Sequence, residues 1–151
     1  MNKNFSKEDI LKKHETNVKS AHTAIFFSGV LGLIYIIRFF ITGNFNYFFS
    51  LSFTDMILRI GKSNEQIILP AIVSVIFAVL YIVFGALGAK KPPLLYAALG
   101  VYIFDFICLI VSMVFIFEKP LDQKCFIDLI VHLFVVTFLV VGIVSSKKIK
   151  E

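Results

Sequence analysis

Apolar residues in this chain gather into four blocks, residues 23–42, 67–88, 94–117 and 126–145, separated by short polar or charged stretches. As helices rising about 1.5 Å per residue, the blocks reach roughly 30 to 36 Å, enough to cross a hydrocarbon core of about 30 Å. Helices associate in lipid through close packing and interhelical hydrogen bonds, so stripes of small and polar residues mark their inward faces. Ser28, Gly29 and Gly32 form such a stripe in the first block. Ala71, Ser74, Ala78, Tyr81, Gly85 and Gly88 form one in the second, and Ala98, Tyr102, Asp105, Cys108 and Ser112 one in the third. The pattern predicts an all-α integral membrane protein, an antiparallel four-helix transmembrane bundle forming one domain over residues 1–151.

Two connecting regions carry periodicity of their own. Residues 1–22 form a charged tail in which Glu8 with Lys12, Asp9 with Lys13 and Glu15 with Lys19 are spaced i,i+4, and Ser6 with Asp9 gives a capping-box start. A helix over about 7–20 that runs into the first span is the expectation. Between the first two spans, Phe53, Met56, Ile57 and Ile60 recur at helical spacing, with Asp55, Arg59 and Lys62 on the opposite face. This predicts a short interfacial helix over about 53–60, begun by Ser52 with Asp55, ended by Gly61, and lying as an anchor and lid over the bundle. A substrate gate or docking surface is the alternative role for it. The links 89–93 and 118–125 are short, which makes their flanking spans antiparallel neighbours.

Composition and charge sharpen the topology. The hydrophobic fraction of 58% and net charge of +5, with mean hydropathy +0.89, exceed a soluble norm of roughly 45 to 50% apolar. Ten Lys and Arg residues fall on the side of the two termini and five on the other. The positive-inside bias then places both termini in the cytoplasm and the protein in the cell membrane as a multi-pass chain. The cations sit at span ends and form no continuous patch, so no nucleic-acid partner is expected. The first span is too long, and preceded by too many charges, for a cleaved signal. Cys108 and Cys125 form no CxxC pair and read as small buried hydrophobes. The sequon-like Asn4-Phe5-Ser6 falls on the cytoplasmic side and carries no weight.

Ionisable groups at membrane depth are costly and call for a reason. Arg38, Asp105, Asp128 and His132 form the candidate cluster. With each span centred, Asp105 lies near the midplane, and His132, Arg38 and Asp128 lie about 5, 8 and 11 Å outward. Asp128 and His132 share a face at i,i+4, and Tyr35, Tyr81 and Tyr102 can extend the network. Two roles fit these residues. In one, Arg38 pairs with Asp105 or Asp128 as interhelical glue, with His132 neutral. In the other, a polar cavity open to the outside lets Asp105 and His132 exchange protons or hold a small cation. His14 and His22 are too far in depth from His132 for haem ligation, no zinc set is present, and no P-loop, GxGxxG or GxSxG occurs; no metal or cofactor is expected.

The run Gly85-Ala86-Leu87-Gly88-Ala89-Lys90-Lys91-Pro92, then Gly100 to Ile103 with Asp105, then His132, Leu139 to Ile143 and Lys147-Lys148, resembles a loose group of small bacterial four-pass membrane proteins. The likeness covers roughly the second half of the chain and is topological. Those proteins often carry a lysine in the last span where this chain has His132, and the resemblance implies no activity. Three functional readings follow from the sequence. The leading one is a small structural or accessory membrane protein without catalysis, which meets the lipid bilayer and dimerises or joins a membrane partner through its small-residue faces. The second is a proton-linked or cation-binding transporter subunit built on the Asp/His/Arg cluster. The third is a membrane enzyme acting on lipid.

Overall fold

The structure is a computed structural model and describes residues 6–45, 51–88, 91, 93–116 and 123–149. Residues 46–50, most of the 89–93 link, the first part of the 118–125 link and the Cys125 side chain lie outside this description. The described chain is all-helical: α1 (Lys7–Thr42), α2 (Ser52–Ser63), α3 (Ile68–Gly88), α4 (Pro93–Val111), which continues as a π-helical turn (Ser112–Ile116), and α5 (Gln123–Lys148). Four helices, Lys7–Thr42, Ile68–Gly88, Pro93–Val114 and Phe126–Lys148, are long and apolar enough to cross a membrane. They form an antiparallel ring in which α1 packs on α3 and α5, and α4 packs on the same two. The start of α1, the end of α3, the start of α4 and the end of α5 share one end of the bundle, the tail end, and α2 lies toward the other.

The charged tail and the first span are one helix of 36 residues. Its start is the expected capping box, with Asp9 N–H donating to Ser6 Oγ at 3.1 Å and Ser6 N–H to Asp9 Oδ2 at 3.1 Å. The tail half is docked, because His14 Nδ1 and Asn17 Nδ2 meet Ser145 Oγ at 3.2 and 3.0 Å. One turn on, a Cβ on Gly142 would stand 2.5 Å from that of Ala21, so α5 needs a glycine there. At the far end Gly43 takes φ +65 and its N–H closes α1 onto Phe39 O at 2.8 Å.

The small-residue stripes meet each other inside the monomer. A Cβ on Gly85 would lie 2.6 Å from the backbone of Phe26, and one on Gly29 would lie 2.7 Å from Ala78 O. Backbones of α1 and α3 therefore touch along this seam, which is what small residues permit. Gly32 faces Leu51 and Ala78 in the same way. The faces expected to recruit a second copy are thus covered within one chain.

The interior holds polar groups beside an apolar core of Ile25, Leu51, Leu58, Leu95 and Leu139, and the perimeter is apolar, unlike a water-soluble surface. Tyr35, Tyr81, Tyr102, His132, Asp105 and Thr54 are fully buried, whereas Ile37, Phe40, Ile41, Leu69, Ile76, Ile107 and Phe134 are exposed around the perimeter.

Candidate functional site

The site begins with where α2 starts. Leu51 packs on Gly32, ten residues before the end of α1 and so about 15 Å inside the bundle. Eleven residues later Lys62 Nζ donates to Gly43 O at 2.7 Å, level with the end of α1. The start of α2 therefore sits inside the bundle, and its last turn lies level with the end of α1. Rather than a lid, α2 is a re-entrant half-helix wedged against α3 and α4.

Its buried face differs from the expected one. Ser52, Thr54, Asp55, Leu58 and Gly61 are buried, while Phe53, Met56 and Ile57 are half-buried and Ile60 is exposed. The buried face carries Ser52 and Asp55 beside Leu58, Phe53 packs its ring on Phe77 and Phe104 at 4.7 and 5.3 Å, and Arg59 and Lys62 stay toward the surface. The ends differ as well. Leu51 is the N-cap and makes no side-chain bond, and Gly61 lies inside the helix, where a Cβ would meet Pro70 Cγ at 2.6 Å. The cap comes from another helix, for Phe53 N–H donates to Asp105 Oδ1 at 2.8 Å. A carboxylate at that place satisfies one of the orphan N–H groups of α2 and faces the positive end of its dipole.

The second oxygen of the same carboxylate, Asp105 Oδ2, lies 2.9 Å from His132 Nε2, and both side chains are fully buried. His132 Nδ1 lies 2.7 Å from the backbone O of Asp128. A carbonyl can only accept, so Nδ1 carries a hydrogen. Nε2 and Asp105 then hold one proton between them, as imidazolium with carboxylate or as imidazole with carboxylic acid. Rings fix the imidazole, with Tyr102 5.1 Å away and Phe106 stacked at 5.8 Å between centroids. Tyr81 lies 5.6 Å beyond Tyr102 and donates to Val101 O at 3.3 Å.

Ser52 Oγ stands 3.4 Å from His132 Nε2. Serine, histidine and aspartate therefore converge, yet not as a hydrolytic triad. A triad needs the serine on one ring nitrogen and the carboxylate on the other. Here both face Nε2, and Nδ1 is held by a carbonyl.

A second cluster lies nearer the α2 end. Buried Asp55 accepts from the Tyr35 hydroxyl and from Arg59 Nε at 2.8 Å. Arg59, its side chain 25% exposed, sits 4.3 Å over the Phe45 ring and leads from this cluster to the surface. Asp128 is buried on α5, one turn before His132.

Of the expected cluster, Asp105, Asp128 and His132 come together. Of the two partners expected for Arg38, Asp105 pairs with His132, while Arg38 itself lies at an exposed position of α1. Ser52 and Asp55 were expected only as the start and polar face of the short helix, and neither they nor the Phe53 amide belonged to the expected cluster. The spacing Ser52, Asp55, Leu58, Gly61 could have found them, being the same kind of polar and small stripe that marks the inward faces of the spans. Among the described residues no three His, Cys, Asp or Glu side chains converge as metal ligands would.

No protein-family model matches this chain, and neither curated proteins nor solved structures provide a match. Geometry alone then defines its class, an all-α bundle with four helices able to span a membrane and a re-entrant half-helix capped by an internal carboxylate.

Proposed function

We propose that the chain is a multi-pass membrane protein with both termini cytoplasmic, and that its buried site handles protons as part of a small proton-linked transport unit. An apolar perimeter around a polar interior supports the membrane setting, since a patch of that extent in water would be an aggregation liability. The basic bias toward the tail end supports the orientation. One observation carries the proton reading. The carboxylate that shares a proton with His132 is also the cap of α2.

Proton number and helix position are coupled by that double role. With one proton in the pair, Asp105 can stay charged and hold the α2 N-terminus. A second proton leaves a neutral acid beside an imidazolium, and a helix N-terminus gains little from a neutral cap. Broken helices whose N-termini point at charged groups near the bilayer midplane are the device by which transporters build ion and substrate sites. The packing reading draws on a different fact, the complete burial of both side chains.

Asp105→Asn separates the two. Protein reconstituted in liposomes with an internal pH dye is the assay. Loss of proton flux in a variant of normal abundance and fold supports proton handling; flux equal to wild type assigns the pair to packing.

A further inference from the structure

We infer that the buried pair exchanges protons with water at the α2 end, along the buried face of α2, from Asp55 through a bridging water to Ser52 Oγ and on to His132 Nε2. This rests on the proton-handling reading above and names the route to that site. Asp55 and Ser52 lie three residues apart on α2 and both are buried, which stacks them one turn apart, about 5 Å along the axis. Ser52 ends the route at the imidazole. Asp55 begins it, because its partner Arg59 lines a surface cavity of about 500 Å³ together with Phe45, Ile60, Lys62 and Ser63.

Polar atoms that a buried water could satisfy are present on α2 and on the π-helical turn. Thr54 Oγ1 and Ser112 Oγ are buried and make no hydrogen bond, and a buried water needs such partners. Toward the tail end the pair meets apolar packing. Ile25, Leu95, Ala98 and Leu139 are all at most 2% exposed and lie below the pair on three helices. The titratable groups around the route are Tyr35 from α1 and Arg59 from α2 at Asp55, and Tyr81, Tyr102, Cys108 and Asp128 around the pair.

Each hop conserves atoms and charge. A hydronium gives a proton to Asp55, forming one O–H bond as its own breaks. The acid passes that proton to the bridging water, which gives another to Ser52 Oγ, whose own hydrogen moves to the Nε2–carboxylate pair. Release runs the same steps backward.

The test reads hydrogen–deuterium exchange at the His132 ring by ¹⁵N NMR of histidine-labelled full-length protein in liposomes. Asp55→Asn and Ser52→Ala are each expected to slow exchange by roughly a hundredfold, the scale of a lost positioned acid–base group. Asp55→Glu should restore the rate, and Ser145→Ala, at the tail end, should not change it. Unchanged His132 shifts certify the fold; if Asp55→Asn misfolds, Ser52→Ala decides. Wild-type exchange rates in both Asp55→Asn and Ser52→Ala overturn the route and leave the pair's role standing. Normal proton flux in Asp105→Asn overturns that role instead.

Discussion

Substituting Asp105 distinguishes loss of charge from loss of hydrogen bonds. In Asp105→Asn the side-chain oxygen can still accept from Phe53 N–H, and the amide can donate to Nε2 of a neutral His132, whose Nδ1–H keeps its bond to Asp128 O. Every contact survives, with charge-assisted bonds exchanged for neutral ones, so the cost should be about 1 kcal/mol. Asp105→Ala removes both acceptors. It orphans a backbone amide, leaves a buried imidazole unpartnered and opens a void, which together should cost about 3 to 5 kcal/mol. Reversible unfolding by SDS in mixed micelles, read by circular dichroism, measures both. An Asn variant as unstable as the Ala variant would refute the reasoning, since it would mean that the imidazole is fixed as a cation and tolerates only a carboxylate.

Other variants probe the packing. Gly85→Ala drives a methyl to 2.6 Å from the Phe26 backbone and should cost about 1 to 3 kcal/mol in the same assay. Gly100→Ala meets nothing within 4 Å and should instead stabilise α4 by up to about 1 kcal/mol. Equal effects at the two glycines would contradict the α1–α3 seam. Leu51→Ala empties the groove at Gly32, where Leu51 is 0% exposed, and should cost about 2 to 5 kcal/mol while exposing Thr54→Cys, introduced alongside it, to a water-soluble maleimide. Ser145→Ala removes the contacts of His14 and Asn17 and should raise protease sensitivity of the first turns of α1, with little change in global stability.

Much of the architecture was legible because one solvent argument governs it. The spans, the capping box at Ser6 and the inward stripes all follow from length, period and residue size. The inward placing of Asp105, Asp128 and His132 follows from the cost of charge in lipid. What failed was α2. Its apolar stripe was read as facing the bundle, as it would under water, although the same solvent argument, applied to a half-helix inside the bundle, turns Ser52 and Asp55 inward. The cap on α2 was beyond sequence reasoning, because its donor is a backbone amide of one helix and its acceptor a side chain 52 positions away.

The seating of α2 on Asp105 is the contact from which the site, its proton and its route follow. A rotational-echo NMR distance between ¹⁵N of Phe53 and ¹³Cγ of aspartate, in protein embedded in lipid and with Asp105→Asn as the blank, measures it directly. A hydrogen bond of this geometry places the two nuclei about 3.5 to 4 Å apart. A dephasing signal at that distance that vanishes in the blank is the expected result. No coupling within about 6 Å would place α2 outside the bundle and contradict the account.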